Sequence, residues 1–164
     1  MVAMPHNKIN QKKHTVLKLI TLAKNLEGTP YKYGATMTEA PKFFDCSLFT
    51  QYLFKEINVS LPRTAIEQAM VGRRVSLQKI KEGDLVFVKG EIGRYNKYFP
   101  MGIGHVGLYL GEGNVIHADR KRFSGKYENL YNPKLIREFG NVIIEDLHKF
   151  LKRKKPLIVI KRYI

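Results

Sequence analysis

The sequence predicts an α+β fold, with helices first and an antiparallel sheet after them, in a chain of 164 residues. Two observations carry this. Up to Gly72 the apolar residues recur at three- and four-residue steps, the helical period. Beyond Gly72 they fall into short runs separated by glycine-containing turns, the pattern of strands and hairpins. No internal repeat or linker interrupts the chain, so the helices are expected to pack on the sheet as one unit.

Residues 1–13 read as a basic, loosely ordered arm, leaving 14–164 as a single domain. Val16, Leu19, Leu22, Ala23 and Leu26 form one apolar stripe, which predicts an amphipathic helix from an N-cap at Thr15 to Glu27. Gly28 suits its C-cap, and Thr29-Pro30 stops it. Tyr31 to Gly34 is a short extended piece, followed by a loop to Pro41. Leu48, Phe49, Tyr52, Leu53 and Ile57 place a second helix from Cys46 to about Asn58. Thr64-Ala65-Ile66-Glu67 has capping-box spacing and starts a third, short helix ending near Gly72.

The strands follow. Leu85–Val88 leaves a turn at Lys81–Asp84, and a long loop spans 90–104. His105–Leu110 and Val115–Ala118 flank a turn signal at Gly111-Glu112-Gly113-Asn114, which predicts a hairpin. Residues 119–140 are charged and irregular. Asn141–Glu145 is a strand, Asp146 caps a short basic helix, and Leu157–Ile164 is the last strand.

With 29 Lys and Arg against 14 Asp and Glu, the net charge is +15. That imbalance attracts polyanions: nucleic acid, anionic lipid or an acidic wall polymer. Its clusters are Lys8, Lys12 and Lys13; Arg120, Lys121 and Arg122; and Lys149, Lys152, Arg153, Lys154 and Lys155. A solvated face is the bland account of any one of them. No run approaches the ~20 apolar residues of a membrane span, and Met1–Lys13 is not followed by a signal-peptide core.

The chain has one cysteine, so no internal disulfide forms. Cys46 opens a helix, where the peptide dipoles favour thiolate, and a pKa below the free value is expected. A buried core thiol is the alternative. A nucleophilic cysteine needs a base and a group to orient it. Of five histidines, His6, His14 and His148 lie in polar or basic surroundings, whereas His105 and His117 share the hairpin. His105 lies beside Gly104 and Gly107, which allow close approach. With a two-residue turn at Glu112-Gly113, simple pairing sets Leu108 opposite His117 and puts the two imidazoles on opposite faces. They meet only if the hairpin bulges; otherwise Asp119 or a carbonyl orients the base. Two histidines and a distant cysteine show no metal-ligand spacing.

Six segments in order resemble the NlpC-type family of papain-like cysteine peptidases, which cut peptidoglycan stem peptides. They are Pro30-Tyr31-x-Tyr33-Gly34, Phe44-Asp45-Cys46-Ser47, Leu61-Pro62-Arg63-Thr64 with Gln68, Gly83–Phe87, His105–Gly111 and Ile116-His117-Ala118. The resemblance spans about 15–164 and implies a papain-like core, the cysteine helix packed on a small antiparallel sheet. It also implies Cys46 as nucleophile, His105 as base and His117 as its orienting partner. Tyr31 would sit near the oxyanion, Asp45 and Ser47 would hold the free amine of an N-terminal L-alanine, and Arg63 would face substrate. The family often has tryptophan at Tyr33 and glycine at Ala35 and Leu48. The loops at 90–104 and 119–140 look longer than a minimal member requires.

The implied reaction is hydrolysis of the bond between D-glutamate and the diamino acid by a monomer needing no metal or organic cofactor. The basic surface would add attraction to anionic wall polymer, without specific nucleic-acid recognition. An envelope or extracellular location is implied, while the missing signal core leaves the cytoplasm open. Two other functions fit the residues: an amidase or acyltransferase of the same fold on a non-wall substrate, and a catalytically silent basic binding module.

Overall fold

The computed structural model describes residues 5–91, 93–120 and 140–164. Three helices come first: α1 (Pro5–Asn25), α2 (Cys46–Lys55) and α3 (Ala65–Met70). Then come β1 (Arg73–Val75), a 3-10 turn at Leu77–Lys79, β2 (Leu85–Val88), β3 (His105–Gly111) and β4 (Asn114–Arg120). The chain ends with β5 (Gly140–Asp146), α4 (Leu147–Lys154) and β6 (Leu157–Arg162). The strands form one antiparallel sheet in the order β1-β6-β2-β3-β4-β5. This is the expected α+β architecture.

The sheet is covered on both faces. Leu85 and Phe87, Val106 and Leu108, and Ile116 and Ala118 pack with Leu19, Phe44, Leu48, Phe49 and Leu53 from the helices. Val86, Val88, Val115 and Ile160 pack with Leu147 and Phe150 of α4. Alternate residues of a strand point to opposite faces, so β2, covered on both, is buried at every position.

Two elements, α1 and β1, differ from expectation. The stretch from Pro5 to Lys13 is helical and continues into α1, where the sequence predicts an arm. Thr15 does not cap; its hydroxyl donates to the Gln11 carbonyl at 3.0 Å, one turn back inside the helix. Nothing between His6 and His14 interrupts a helix, and the exposed residues 8–14 simply extend it into solvent. Strand β1 is not evident in the sequence: its Arg73 and Arg74 carry no apolar alternation, and pairing with β6 defines it. Among the described residues no helix is long and apolar enough to cross a membrane. Asp119 and Arg120, expected in an irregular segment, belong to β4 and Gly140 to β5, while residues 121–139, with Lys121 and Arg122 of one basic cluster, lie outside the described residues.

The hairpin of β3 and β4 resolves the facing problem. Gly111 pairs with Asn114, but Tyr109 pairs with Val115 and Leu108 with Ile116, so one extra residue, Leu110, bulges from β3. Gly111 occupies the bulge at φ +90, which a side chain would resist, and Glu112 and Gly113 turn at φ 51 and 76. The bulge shifts the register by one, bringing His117 across from Gly107 and onto the face that carries His105. A one-residue slip exchanges faces.

Candidate active site

Cys46 is the first residue of α2, and its placement is over-determined. Phe44 is fully buried, with its ring 5.3 Å from Phe49 and 5.4 Å from Tyr52. Its backbone is pinned too: Phe44 N–H donates to Pro30 O, and Phe44 O accepts from Lys32 N–H. Asp45 is the extended N-cap, accepting from Leu48 N–H at 2.8 Å. Buried Gln68 braces the helix, donating to Ser47 O and Pro62 O while accepting from Thr50 Oγ1.

The thiol points at the start of β3, with Sγ 3.9 Å from Gly104 O. Cys46, Gly104 and His105 line one cleft of about 340 Å³, together with Tyr31, Asp45, Ser47 and Arg63. The long loop at 90–104 supplies its other wall through Gly90, Glu91, Arg94 and Ile103. Asn96 shapes that loop by accepting from Tyr98 and Phe99 N–H, both at 2.9 Å.

The two hairpin histidines meet. His105 Nε2 and His117 Nδ1 are 2.8 Å apart, with the rings edge-on. His117 Nε2 lies 2.8 Å from Glu145 Oε1. Glu145 is diagonal to His117 across β4 and β5, where His117 pairs with Ile143 and Val115 with Glu145, so both point to the α4 face. Arg153 of α4 donates to both Glu145 oxygens, at 2.6 and 3.2 Å, and to Asp119 Oδ2 at 2.9 Å. Phe150 packs on both imidazoles, with ring centres 5.8 Å from His105 and 4.8 Å from His117. Asp119, the other candidate orienting group, stays 4.0 Å from His117 Nδ1 and is paired with Lys154 at 2.7 Å. His117, and not Asp119, therefore stands against the base, and Glu145 stands behind His117.

Glu145, Arg153 and Phe150 escape a sequence reading because nothing local marks them. Only the strand alternation 143, 145 beside a short basic helix hints that Glu145 faces α4. His14 and His148 are exposed, as expected.

Electrostatics correct one expectation. Burial pushes the Cys46 thiol up to about 12, and the Asp45 carboxylate adds to the rise; the Val106 and Ser47 amides oppose it without prevailing. The helix terminus alone does not make a thiolate here. His105 is held well below the usual histidine range, by burial first and then by His117. Burial also lowers His117, with Glu145 and Asp119 acting against it. Burial would raise Glu145, but hydrogen bonds from His117 and Arg153 bring it down to about 2. Burial thus favours a neutral thiol and a neutral imidazole, backed by an ionised carboxylate.

The residues expected to bind substrate fall into two groups. Tyr31 is buried at the cleft, and burial followed by the charges of Cys46 and Asp45 raises its hydroxyl well above the ordinary range, so it remains a donor. Asp45, Ser47 and Arg63 instead satisfy one another. Arg63 pairs with Asp45 and donates to Ser47 Oγ at 2.9 Å and to Ala35 O at 2.7 Å. One Asp45 oxygen caps α2 and the other is on Arg63. The three residues clamp the 33–35 loop to α2, and Arg63 still lines the cleft.

His105, His117 and Asp119 bring one donor atom each within 4.8 Å of one another. His117 already uses both nitrogens, on His105 and Glu145, and Asp119 carries Lys154 and Arg153. These donors are engaged in hydrogen bonds and ion pairs, a poor set for a cation.

The sequence profile of the NlpC/P60 family matches residues 28–143. Over 127 residues the chain is 36% identical to "Probable endopeptidase p60" of Listeria innocua, covering 76% of this chain and 24% of that protein. Over 124 residues it is 36% identical to "Gamma-DL-glutamyl hydrolase" of Bacillus subtilis, covering 71% and 28%. The chain therefore spans about a quarter of the length of these curated relatives. The crystal structure of the peptidoglycan hydrolase RipB from Mycobacterium tuberculosis superposes with a TM-score of 0.60 at 25% identity, covering 92% of this chain and 65% of that one.

Proposed function

Since the chain belongs to the NlpC/P60 family of peptidases, we propose that it is a cysteine endopeptidase that cuts peptidoglycan stem peptides between D-glutamate and the diamino acid. One observation carries the chemistry: the only cysteine opens α2 inside a cleft, beside a histidine held at 2.8 Å by a second histidine. Nucleophile, base and orienting group stand in the order that acyl transfer requires. The names of the relatives support the substrate, a glutamyl bond in one case and peptidoglycan in the other.

In this mechanism the Cys46 sulfur attacks the glutamyl carbonyl while its proton passes to His105. Because the resting thiol is neutral, proton transfer accompanies attack, and His105 acts as a general base. The Cys46 amide and the Tyr31 hydroxyl donate to the oxyanion. The His105 imidazolium then protonates the leaving amine as the C–N bond breaks. Water hydrolyses the thioester, returning the proton to sulfur. Of the cleft-lining cations Arg63, Arg94, Arg120 and Lys154, three are paired with Asp45, Glu91 and Asp119, and Arg94 is placed to meet a substrate carboxylate.

The test is mass spectrometry of purified muropeptides after incubation with the protein and with Cys46→Ala. Products split at the D-glutamyl bond, made only by the intact thiol, are expected. Cleavage elsewhere, no cleavage, or activity that survives Cys46→Ala overturns the reading.

A further inference from the structure

We propose that Glu145 is a positioning residue that sets the tautomer of His105 through His117, and so decides which nitrogen of the base meets the thiol. The inference rests on the cysteine-peptidase reading and deepens it.

An ionised carboxylate can only accept hydrogen bonds. Glu145 Oε1 lies 2.8 Å from His117 Nε2, so that nitrogen carries a hydrogen. Neutral His117 then has a bare Nδ1, which can only accept. His105 Nε2 lies 2.8 Å from this Nδ1 and must be the donor. The remaining nitrogen of neutral His105, Nδ1, is left with its lone pair for the Cys46 proton. Each tautomer is dictated by the one behind it, and the sequence of constraints starts at Glu145.

The carboxylate is itself held. Arg153 bonds both of its oxygens and also reaches Asp119, whose Oδ1 is paired with Lys154. Asp119 fixes the arginine, and Phe150 from the same helix packs against both imidazoles. Helix α4 thus supplies the frame in which Glu145 keeps one orientation. When Nδ1 of His105 takes the thiol proton, His105 becomes an imidazolium whose Nε2–H still faces an acceptor. No bond in the relay has to reorganise.

The charged and titratable groups around the pair are Cys46 from α2, which lines the cleft with His105, Asp119 and Arg120 from β4, Glu145 from β5, and Arg153 and Lys154 from α4. Of these Glu145 alone touches an imidazole nitrogen that is not used by the other histidine.

The experiment combines two readouts on the full chain, with Glu145→Leu and Glu145→Gln. Nitrogen chemical shifts of the histidines report the tautomers without turnover. In the unmodified protein His105 Nδ1 is expected bare and Nε2 protonated. Glu145→Leu should mix the His117 tautomers, and with them those of His105, and lower kcat about 100-fold with KM unchanged. Glu145→Gln keeps an acceptor for His117 without the charge. It should retain the tautomers, lose about tenfold in kcat, and move the acid limb of the pH profile to lower pH, because an imidazolium loses its nearest anion. Unchanged tautomers in Glu145→Leu, or kcat within twofold of the original, overturn the proposal. If Glu145→Leu does not fold, Glu145→Gln decides: an unmoved acid limb and unchanged kcat overturn it. If the unmodified protein cleaves no muropeptide while Glu145→Leu still alters the tautomers, the proposed reaction falls and the relay stands.

Discussion

Gly107 lies across the hairpin from His117, and a Cβ added there would stand 3.5 Å from the His117 Cβ and 2.7 Å from Val115 Cγ2. The same atom would meet the Phe150 ring at 3.3 Å. Gly107→Ala must therefore push apart the packing that holds His117 in place. It should destabilise the fold by about 1–3 kcal/mol and lower kcat more than it raises KM. Thermal unfolding together with steady-state kinetics measures both effects; an unchanged melting temperature with normal kcat would show the packing to be slack.

Alkylation of Cys46 should be slow at neutral pH. Its thiol is pushed up to about 12 by burial and Asp45, so the iodoacetamide rate should climb about tenfold per pH unit well past pH 8. A plateau already reached by pH 6 would reveal a preformed thiolate–imidazolium pair and refute a resting neutral site.

Stability should bend at both ends of the pH scale. His105 is depressed below its ordinary 6.5, so the stability from burying it neutral is present above pH 6.5 and lost as pH falls through its lowered folded value. The Cys46 thiol is raised from 9.0, so its contribution is complete below pH 9 and lost as pH rises towards about 12. Denaturant midpoints across pH 4–10, compared with Cys46→Ser, separate the two limbs; an alkaline limb shared equally by Cys46→Ser cannot come from the thiol.

Asp45→Ala removes the N-cap of α2 and leaves Arg63 without its carboxylate. A loss of about 2 kcal/mol is expected from the cap and the broken pair. Because that carboxylate is engaged within the protein, the variant should slow cleavage of free-amine and glycan-linked stem peptides by the same factor. A selective loss on free-amine peptides would make Asp45 a substrate-ammonium ligand.

The basic helix α4 is divided in its work. Arg153 and Lys154 are paired with Glu145 and Asp119, so they are not free to contact a polymer as the charge pattern alone suggests. Lys149, Lys152 and Lys155 are exposed. Replacing these three with glutamine should weaken binding to wall sacculi, most visibly at low salt, with the rate on a soluble muropeptide unchanged. Arg153→Gln should instead lower the soluble rate. If the triple variant slows the soluble substrate as much as Arg153→Gln does, the division is wrong.

Sequence by itself determined what local chemistry can determine. Phe44-Asp45-Cys46 marks the start of α2 because an anchor, a cap and an apolar stripe lie within a few residues of one another. Glu67 accepts from Thr64 N–H, as the capping-box spacing predicts, and Asp146 caps α4 through Lys149 N–H at 3.0 Å. Cys46 and His105 line one cleft, as the resemblance of the ordered segments implies. The tertiary structure decided the rest, since each remaining feature depends on residues distant in the chain. One bulged residue at Leu110 chose the face of His117, and the register of β4 on β5 delivered Glu145 to it. Arg63 crossed from another loop to take the carboxylate of Asp45. Burial beneath β3, which no helix-end argument contains, pushes the thiol up. Caps and periods act over a few residues and can be read along the chain, whereas registers and desolvation exist only once the chain has folded on itself.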